Sequence, residues 1–339
     1  MSIVGLGHPL VDISSEVQLA MLEKYGLKPN DMCLAEEKHM PLFKDIVALP
    51  TVRYIAGGAT QNSIRVAQWM LQCPRMTSFM GCVGDDDFAA KMRAACEYDG
   101  VRALYMVDPK VPTGCCAVLI HGEGRTMCTV LNCANNYEAE HLRQPEHWKL
   151  IEEARIVYSA GFFISASPES IELTSKEMAR TGGFYCLNLA APFLMHVPRL
   201  KAVFVQTMPY VDILFGNESE AQAWAESEGW ETTDIAFIAL RISLIPSAKE
   251  RKRIVVFTQG HKCTVVAVGG DVSFHDIVPV PKDKLVDTNG AGDAYVGGFL
   301  AAFSKGLDVA ACCHAGAYAA SIIVQQSGCT FPERPNYAW

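Results

Sequence analysis

The sequence predicts a doubly wound α/β fold carrying a small β-rich insert. Three observations lead there. Short runs that are apolar on both faces alternate with stretches of helical periodicity, the pattern of a buried parallel sheet with covering helices. Two stretches, residues 14–60 and 111–135, hold strand-like pieces without the long crossover that each parallel strand needs. A glycine-rich segment stands directly before an apolar helix near the C-terminus.

The elements follow in order. Ile3–Gly7 is a first strand. Thr60–Gln72 reads as a helix, with Ile64, Ala67 and Leu71 at three- and four-residue spacing, and Asp87–Tyr98 as another, with Phe88, Met92 and Ala95 on one side. Val118–Ile120 and Thr126–Leu131 flank the turn His121-Gly122-Glu123-Gly124-Arg125, a hairpin signal. Ile156–Ala160, Phe184–Leu189, Val211–Phe215 and Ile254–Thr258 are further buried strands. The basic run Ser247–Arg253 is expected to be a solvated loop. Asp293–Ser304 and Val309–Gln325 close the chain as helices.

The chain has 339 residues, half of them apolar and 19% charged, enough for one large domain or two modest ones. Lys plus Arg is 29 against 37 for Asp plus Glu, a net charge of −8. That balance disfavours a nucleic-acid or anionic-membrane partner and leaves room for a small anionic ligand in a local positive pocket. Val309–Val324, broken by His314, is too short to span a bilayer comfortably. The thirteen cysteines contain no CxxC spacing, and the opening Met1–Pro9 has neither a basic start nor a long apolar stretch, so no secretory signal is expected. Reduced, mostly buried thiols in the cytoplasm are expected.

Several chemistries find no support. There is no GxxxxGK[ST] phosphate loop, no HExxH, no cysteine–histidine cluster at zinc spacing and no GxSxG. Gly5-Leu6-Gly7-His8-Pro9 lacks the third glycine of a dinucleotide fingerprint. A nicotinamide dehydrogenase is therefore a weak alternative.

The informative segment is Asp287-Thr288-Asn289-Gly290-Ala291-Gly292-Asp293. Glycines before a helix leave successive N–H groups free to face one ligand, and the helix dipole adds positive charge. Asp293 at such an anion hole is either a helix cap or a base beside a transferring phosphate, and the segment alone does not separate the two.

With the Ala56-Gly57-Gly58-Ala59-Thr60-Gln61-Asn62 segment, Gly7-His8-Pro9-Leu10-Val11-Asp12, Asn217-Glu218-Ser219-Glu220, Phe257-Thr258-Gln259-Gly260 and Gly328-Cys329-Thr330-Phe331-Pro332, that segment resembles the ribokinase-like (PfkB) carbohydrate kinase family over nearly the whole chain, and its adenosine-phosphorylating branch most closely. The resemblance implies a mainly parallel sheet flanked by helices, with residues 1–13, 61–110 and 136–339 as a large nucleotide-binding domain and residues 14–60 and 111–135 as a lid. It implies transfer of the ATP γ-phosphate to the ribose 5′-hydroxyl of adenosine, in purine salvage. Mg²⁺ would be required, a monovalent cation is a further candidate, and a monomer in the cytoplasm, with the nucleus as a second location, is expected.

Residue by residue, the resemblance makes Asp293 the base, with Gly290, Ala291 and Gly292 supplying the anion hole and Arg125 reaching the phosphates from the lid. Asp12, Gly58 and Asn62 would hold the ribose; Gly57 and Asn289 would also bind the substrate, and His8 would contact sugar or base. Leu10, Leu34, Cys116, Met127 and Phe163 would line the adenine pocket. Asn188, Asn217, Thr258 and Gly260 fall on the ATP side, and Glu220 would organise Mg²⁺ through water. Read without the resemblance, Asn217 and Glu220 form a helix-capping pair, Arg125 is a surface arginine and the apolar residues are core. Two positions depart from the family pattern: His8 replaces a usual Asn and Ala59 a common Ser, which bears on substrate preference. A kinase of another nucleoside or sugar, and a nucleoside-binding sensor with no need of Asp293, are the competing functions.

Overall fold

The computed structural model describes residues 2–122 and 124–339. Its larger sheet has nine strands. From one edge they run Asp271–His275, Lys262–Val268, Ile254–Gln259, Ile213–Asn217, Phe184–Asn188, Ile156–Ala160, Ile3–Leu6, Thr77–Gly84 and Arg102–Asp108. The seven strands from Ile254–Gln259 onward are parallel, and the first two pair antiparallel at the edge. All five strands read from the apolar runs are present. Thr77–Gly84 and the edge strands were not read from the sequence. The first strand lies between Ile156–Ala160 and Thr77–Gly84, so the chain winds outward from it in both directions. That is a topological switch point, where ligands of open α/β sheets bind beyond the carboxyl ends of the strands.

Helices cover both faces, and a buried apolar cluster lies on each. On one face Ala59–Leu71, Ala291–Ser304 and Val309–Ile323 pack together. They approach closely because the contact points are glycines. A Cβ on Gly297 would stand 2.5 Å from the carbonyl oxygen of Ser63, and one on Gly298 2.4 Å from that of Ala315. This proximity brings the starts of two helices together, with functional consequences below.

The smaller sheet has five strands in the order Met32–Leu34, Gly124–Val130, Cys115–His121, Leu10–Glu16 and Arg53–Gly57. The expected hairpin is there, Cys115–His121 pairing antiparallel with Gly124–Val130; of its turn, Glu123 lies outside the described residues. The chain enters this sheet at Leu10, so a boundary after residue 13 falls inside a continuous seven-residue strand.

The run Ser247–Arg253 is the expected loop, with Ser247, Ala248, Glu250 and Lys252 exposed, but two of its cations turn inward. Arg253 is buried and donates to the carbonyl oxygens of Met208, Val211, Ile242 and Ile245. Lys249 reaches the buried Asp212 at 2.5 Å. These cations tie the Ile254 strand to its neighbours. Inward-turned cations satisfied by carbonyls and the Asp212 carboxylate are indistinguishable, in sequence, from solvated ones. No helix among the described residues is long and apolar enough to cross a membrane. All thirteen cysteines are free.

Candidate active site

A cavity of about 900 Å³ opens between the two sheets, beyond the carboxyl ends of the central strands. Its wall contains His8, Leu10, Asp12, Leu34, Gly58 and Asn62; then Cys116, Met127 and Phe163; then Asn188, Asn217, Glu220 and Thr258; and finally Asn289, Gly290, Gly292 and Asp293. These residues come from distant parts of the chain and nearly complete the set expected from the sequence. Gly57, Ala291, Arg125 and Gly260 do not border the cavity. Gly260 sits in the tight turn between Ile254–Gln259 and Lys262–Val268.

Asp293 is the third residue of the Ala291–Ser304 helix, whose N-cap is Gly290 in the left-handed conformation (φ +78°). No side chain caps this helix, so the Asp293 carboxylate is not spent on the cap, the bland alternative for it. Instead Asn62 Nδ2 donates to Asp293 Oδ2 at 3.0 Å. Asn62 lies in the first turn of the Ala59–Leu71 helix, which the glycine contact holds alongside. Burial lifts the Asp293 carboxyl from 3.8 to about 7, against the Asn62 bond that favours its ionised form. First-turn N–H groups have no intrahelical acceptor, so those of Gly292 and Asp293 are available beside this carboxylate.

Asp287 holds the anion-hole loop. Its Oδ1 accepts from the Asn289 N–H at 2.7 Å and its Oδ2 from the Gly328 N–H at 2.7 Å. Arg125 Nε meets Oδ1 at 2.6 Å, and Arg125 Nη2 donates to the Val286 carbonyl at 2.7 Å. The hairpin of the smaller sheet is thereby pinned to the loop before Gly290. Sequence reasoning passed over Asp287, although it opens the same motif, because an aspartate in a glycine-rich turn is unremarkable until its partners are known.

Asp12 lies on the Leu10–Glu16 strand, buried, with no hydrogen bond to its carboxylate among the described residues. Burial lifts it from 3.8 to about 7, the charges of Asp293 and Asp287 push the same way, and Arg65 opposes them. The adjoining strand gives it room: a Cβ on Gly57 would stand 2.5 Å from its Oδ1. Gly58 is obligatory for a second reason, since at φ +94° a Cβ would meet the His8 carbonyl oxygen at 2.1 Å. His8 is buried, its Nε2 has no partner, and burial lowers it to about 4, so it is neutral near pH 7. Its ring meets Phe163 edge-on at 6.0 Å.

Asn217 and Glu220 serve two ends. They form a complete capping box: Glu220 N–H donates to Asn217 Oδ1 at 2.9 Å and Asn217 N–H to Glu220 Oε2 at 3.0 Å. Both also border the cavity. Burial lifts Glu220 to about 7; the Asn217 N–H opposes this, and the Asp293 charge adds to it. Thr258 pairs with Asn217 from the neighbouring strand, and Asn188 Oδ1 accepts from the N–H of Ala190, whose φ is +67°.

A model of the pfkB family of carbohydrate kinases matches residues 19–336. The chain belongs to this family. It is 45% identical over 336 residues to adenosine kinase 1 of Arabidopsis thaliana, covering 99% of this chain and 97% of that one. The crystal structure of Anopheles gambiae adenosine kinase in complex with P1,P4-di(adenosine-5) tetraphosphate superposes with a TM-score of 0.94 at 42% identity, covering 99% of this chain and 98% of that one. Adenosine kinase from Schistosoma mansoni in complex with 2-fluoroadenosine gives 0.92 at 34% identity, with 97% of each chain covered. The ribokinase-like architecture expected from the sequence is the one observed.

Proposed function

We propose that this pfkB-family chain transfers the γ-phosphate of ATP to the ribose 5′-hydroxyl of adenosine, giving AMP and ADP, and so serves purine salvage. The observation that carries this is Asp293: a carboxylate free of capping duty, at a helix mouth that favours anions, and held at about 7. The relatives named adenosine kinase support the acceptor. One relative binds a ligand with adenosine at both ends of a phosphate chain, and the cavity here likewise runs from Leu34 and Phe163 to Asn217 and Thr258.

The roles follow from chemistry. Asp12 accepts hydrogen bonds from the vicinal ribose hydroxyls, and Gly58 lets the sugar approach the backbone. The apolar wall of Leu10, Leu34, Cys116, Met127 and Phe163 takes the base, with His8 Nε2 and Asn289 as polar contacts. The reacting hydroxyl lies against Asp293, which takes its proton as the oxygen attacks the γ-phosphorus and the bond to the ADP oxygen breaks. A base with a pKa near the working pH is the efficient one, typically worth about 10²–10⁴-fold. The free N–H groups of Gly292 and Asp293 stabilise charge building on the transferred group, while the Ala291 N–H, expected to join them, donates instead to the Thr288 carbonyl; positioning supplies most of the rest.

Magnesium suits the donor set. Asp293 and Glu220 are hard oxygen donors whose mutual repulsion a cation relieves. Both Glu220 oxygens are engaged in the capping box and its Asn217 side-chain contact, so Glu220 would hold the ion's waters rather than the ion. When bound with ATP, the ion neutralises phosphate charge. Residues 14–60 and 111–135 act as a lid, with Arg125 exchanging Asp287 for phosphate. Thirteen free thiols suit a reducing compartment, the cytoplasm or nucleus; a monomer is what the family resemblance implies.

The test is ADP release with ATP and Mg²⁺ across adenosine, inosine, guanosine, cytidine and free ribose. Selective turnover of adenosine supports the reading. Preference for another acceptor moves the specificity to His8 and Ala59, and no turnover from folded protein removes the kinase in favour of a sensor.

A further inference from the structure

The smaller sheet carries a thiol pair outside the chemistry above. We propose that Cys33 and Cys128 form a reversible disulfide on oxidation by a hydroperoxide, pinning the edge of the sheet that walls the nucleoside cavity. Cys33 and Cys128 are direct partners on the parallel strands Met32–Leu34 and Gly124–Val130. Neighbouring strands lie about 4.7–4.9 Å apart, inside the ~4.4–6.8 Å that a disulfide spans between Cα atoms. The two sulfurs and a ring nitrogen of His39 all lie within 4.8 Å of one another.

Three such groups also suggest a metal, but the imidazole argues against it. His39 Nδ1 accepts the Glu36 N–H at 2.9 Å, so the ring proton sits on Nε2, which is buried and without a partner. With Nδ1 already accepting and Nε2 protonated, the neutral ring has no lone pair left for a metal.

Access decides the order of events. Cys33 is half-buried and borders both the large cavity and a second one of about 120 Å³ beside Asp31, Glu36 and His39. Water's share of liquid volume is about 30 Å³, so this second space admits a peroxide. Cys128 is fully buried. The Cys33 thiolate attacks the peroxide; the O–O bond breaks, an S–O bond forms, and hydroxide leaves to become water. The Cys128 sulfur then attacks the Cys33 sulfur. The S–S bond forms, the S–O bond breaks, and the departing hydroxide takes the Cys128 proton as a second water. Two thiols lose two electrons and one peroxide becomes two waters. Burial, with the Cys33 charge adding to it, pushes Cys128 up to about 12. Cys128 is therefore the resolving sulfur and Cys33, which borders both cavities, the attacking one.

The Met32–Leu34 strand has only three residues, stands at the sheet edge, and exposes Met32 and Leu34 by more than half. Leu34 on one strand and Met127 on the other border the cavity, so a bond between the strands fixes that wall. The consequence for turnover rests on the kinase reading; the bond itself does not. The experiment treats the whole protein with hydrogen peroxide, traps free thiols with iodoacetamide, and maps peptides without reduction. A Cys33–Cys128 linkage is expected, with kcat/KM for the nucleoside reduced at least about tenfold and restored by dithiothreitol. Cys33→Ser and Cys128→Ala, each referred to its own reduced activity, should keep that activity after peroxide. A linkage between other cysteines, or inactivation of Cys33→Ser like the wild type, overturns the proposal. A mapped bond with unchanged turnover overturns its regulatory half. A failure of the kinase reading shows separately, as no turnover before peroxide is added.

Discussion

Arg125 Nε stands 2.6 Å from Asp287 Oδ1, joining the hairpin of the smaller sheet to the loop that precedes Gly290. The same carboxylate holds the N–H groups of Asn289 and Gly328. One side chain thus sets the shape of the anion hole and also parks the cation expected to serve it. Arg125 Nη1 is buried without a partner, a donor left over for an anion. Arg125→Ala should lower kcat about 10²-fold, the usual effect of losing one transition-state donor. It should raise the KM for ATP and leave adenosine affinity by calorimetry nearly unchanged. An equal loss of adenosine affinity would make Arg125 a structural clasp only.

Asp287→Ala has a different signature. It leaves two N–H groups and a partly buried guanidinium without their acceptor, and breaking such a pair costs about 3 kcal/mol. Chemical denaturation should show that loss in the ligand-free protein, with Asp287→Asn intermediate. Wild-type stability for Asp287→Ala would mean that the loop keeps its shape without the carboxylate.

Asp293→Asn tests the base. The amide can still meet Asn62 but cannot accept a proton from the hydroxyl. Turnover should fall at least about a hundredfold with the fold and adenosine binding retained. Near-normal turnover would remove Asp293 from that role.

Asp293 was legible because its whole motif is contiguous, and Asp12, Gly58 and Asn62 because they sit in short segments with a recognisable residue order. Asp287 was passed over, although contiguous, because its importance lies in partners at Gly328 and Arg125. The cluster of Cys33, His39 and Cys128 was invisible for a stronger reason. Its members are brought together by strand register across some ninety residues, which no spacing rule reports. Thr77–Gly84, buried along its entire length, was missed because polar Thr77 and Ser78 and three small residues dilute its apolar pattern. The Asn217–Glu220 pair was read both as a cap and as a site, and its geometry satisfies the cap while placing both residues on the cavity wall.

The raised carboxylates set the pH behaviour. Asp12 and Asp293 have a reference pKa of 3.8 and rise to about 7 in the folded protein, so folding takes up protons between those values. Their contribution to stability is full below about pH 4 and is lost as pH rises to about 7, beyond which it is flat. Asp12→Asn should therefore gain stability over the wild type at pH 8 and gain less at pH 5, in denaturant titrations of ligand-free protein. Activity runs the other way: kcat/KM should fall as pH drops below about 7, because Asp293 must be ionised to act. An acid limb near pH 4 would place its pKa at the ordinary carboxylate value.

Glu220 separates the two meanings of its motif. Glu220→Gln retains an oxygen that can accept the Asn217 N–H, so the capping box survives and stability should change by less than the ~1 kcal/mol that a lost cap costs. The charge is gone, however, and with it the attraction for the waters of a magnesium ion. The Mg²⁺ concentration for half-maximal turnover at fixed ATP should rise several-fold, while adenosine affinity stays put because Glu220 lies toward Thr258 rather than toward Phe163. Glu220→Ala should show the same magnesium effect plus the stability loss, since removing the carboxyl also orphans the Asn217 N–H. If both variants lose stability equally and neither alters the magnesium requirement, Glu220 is a helix cap alone and the ion is organised elsewhere.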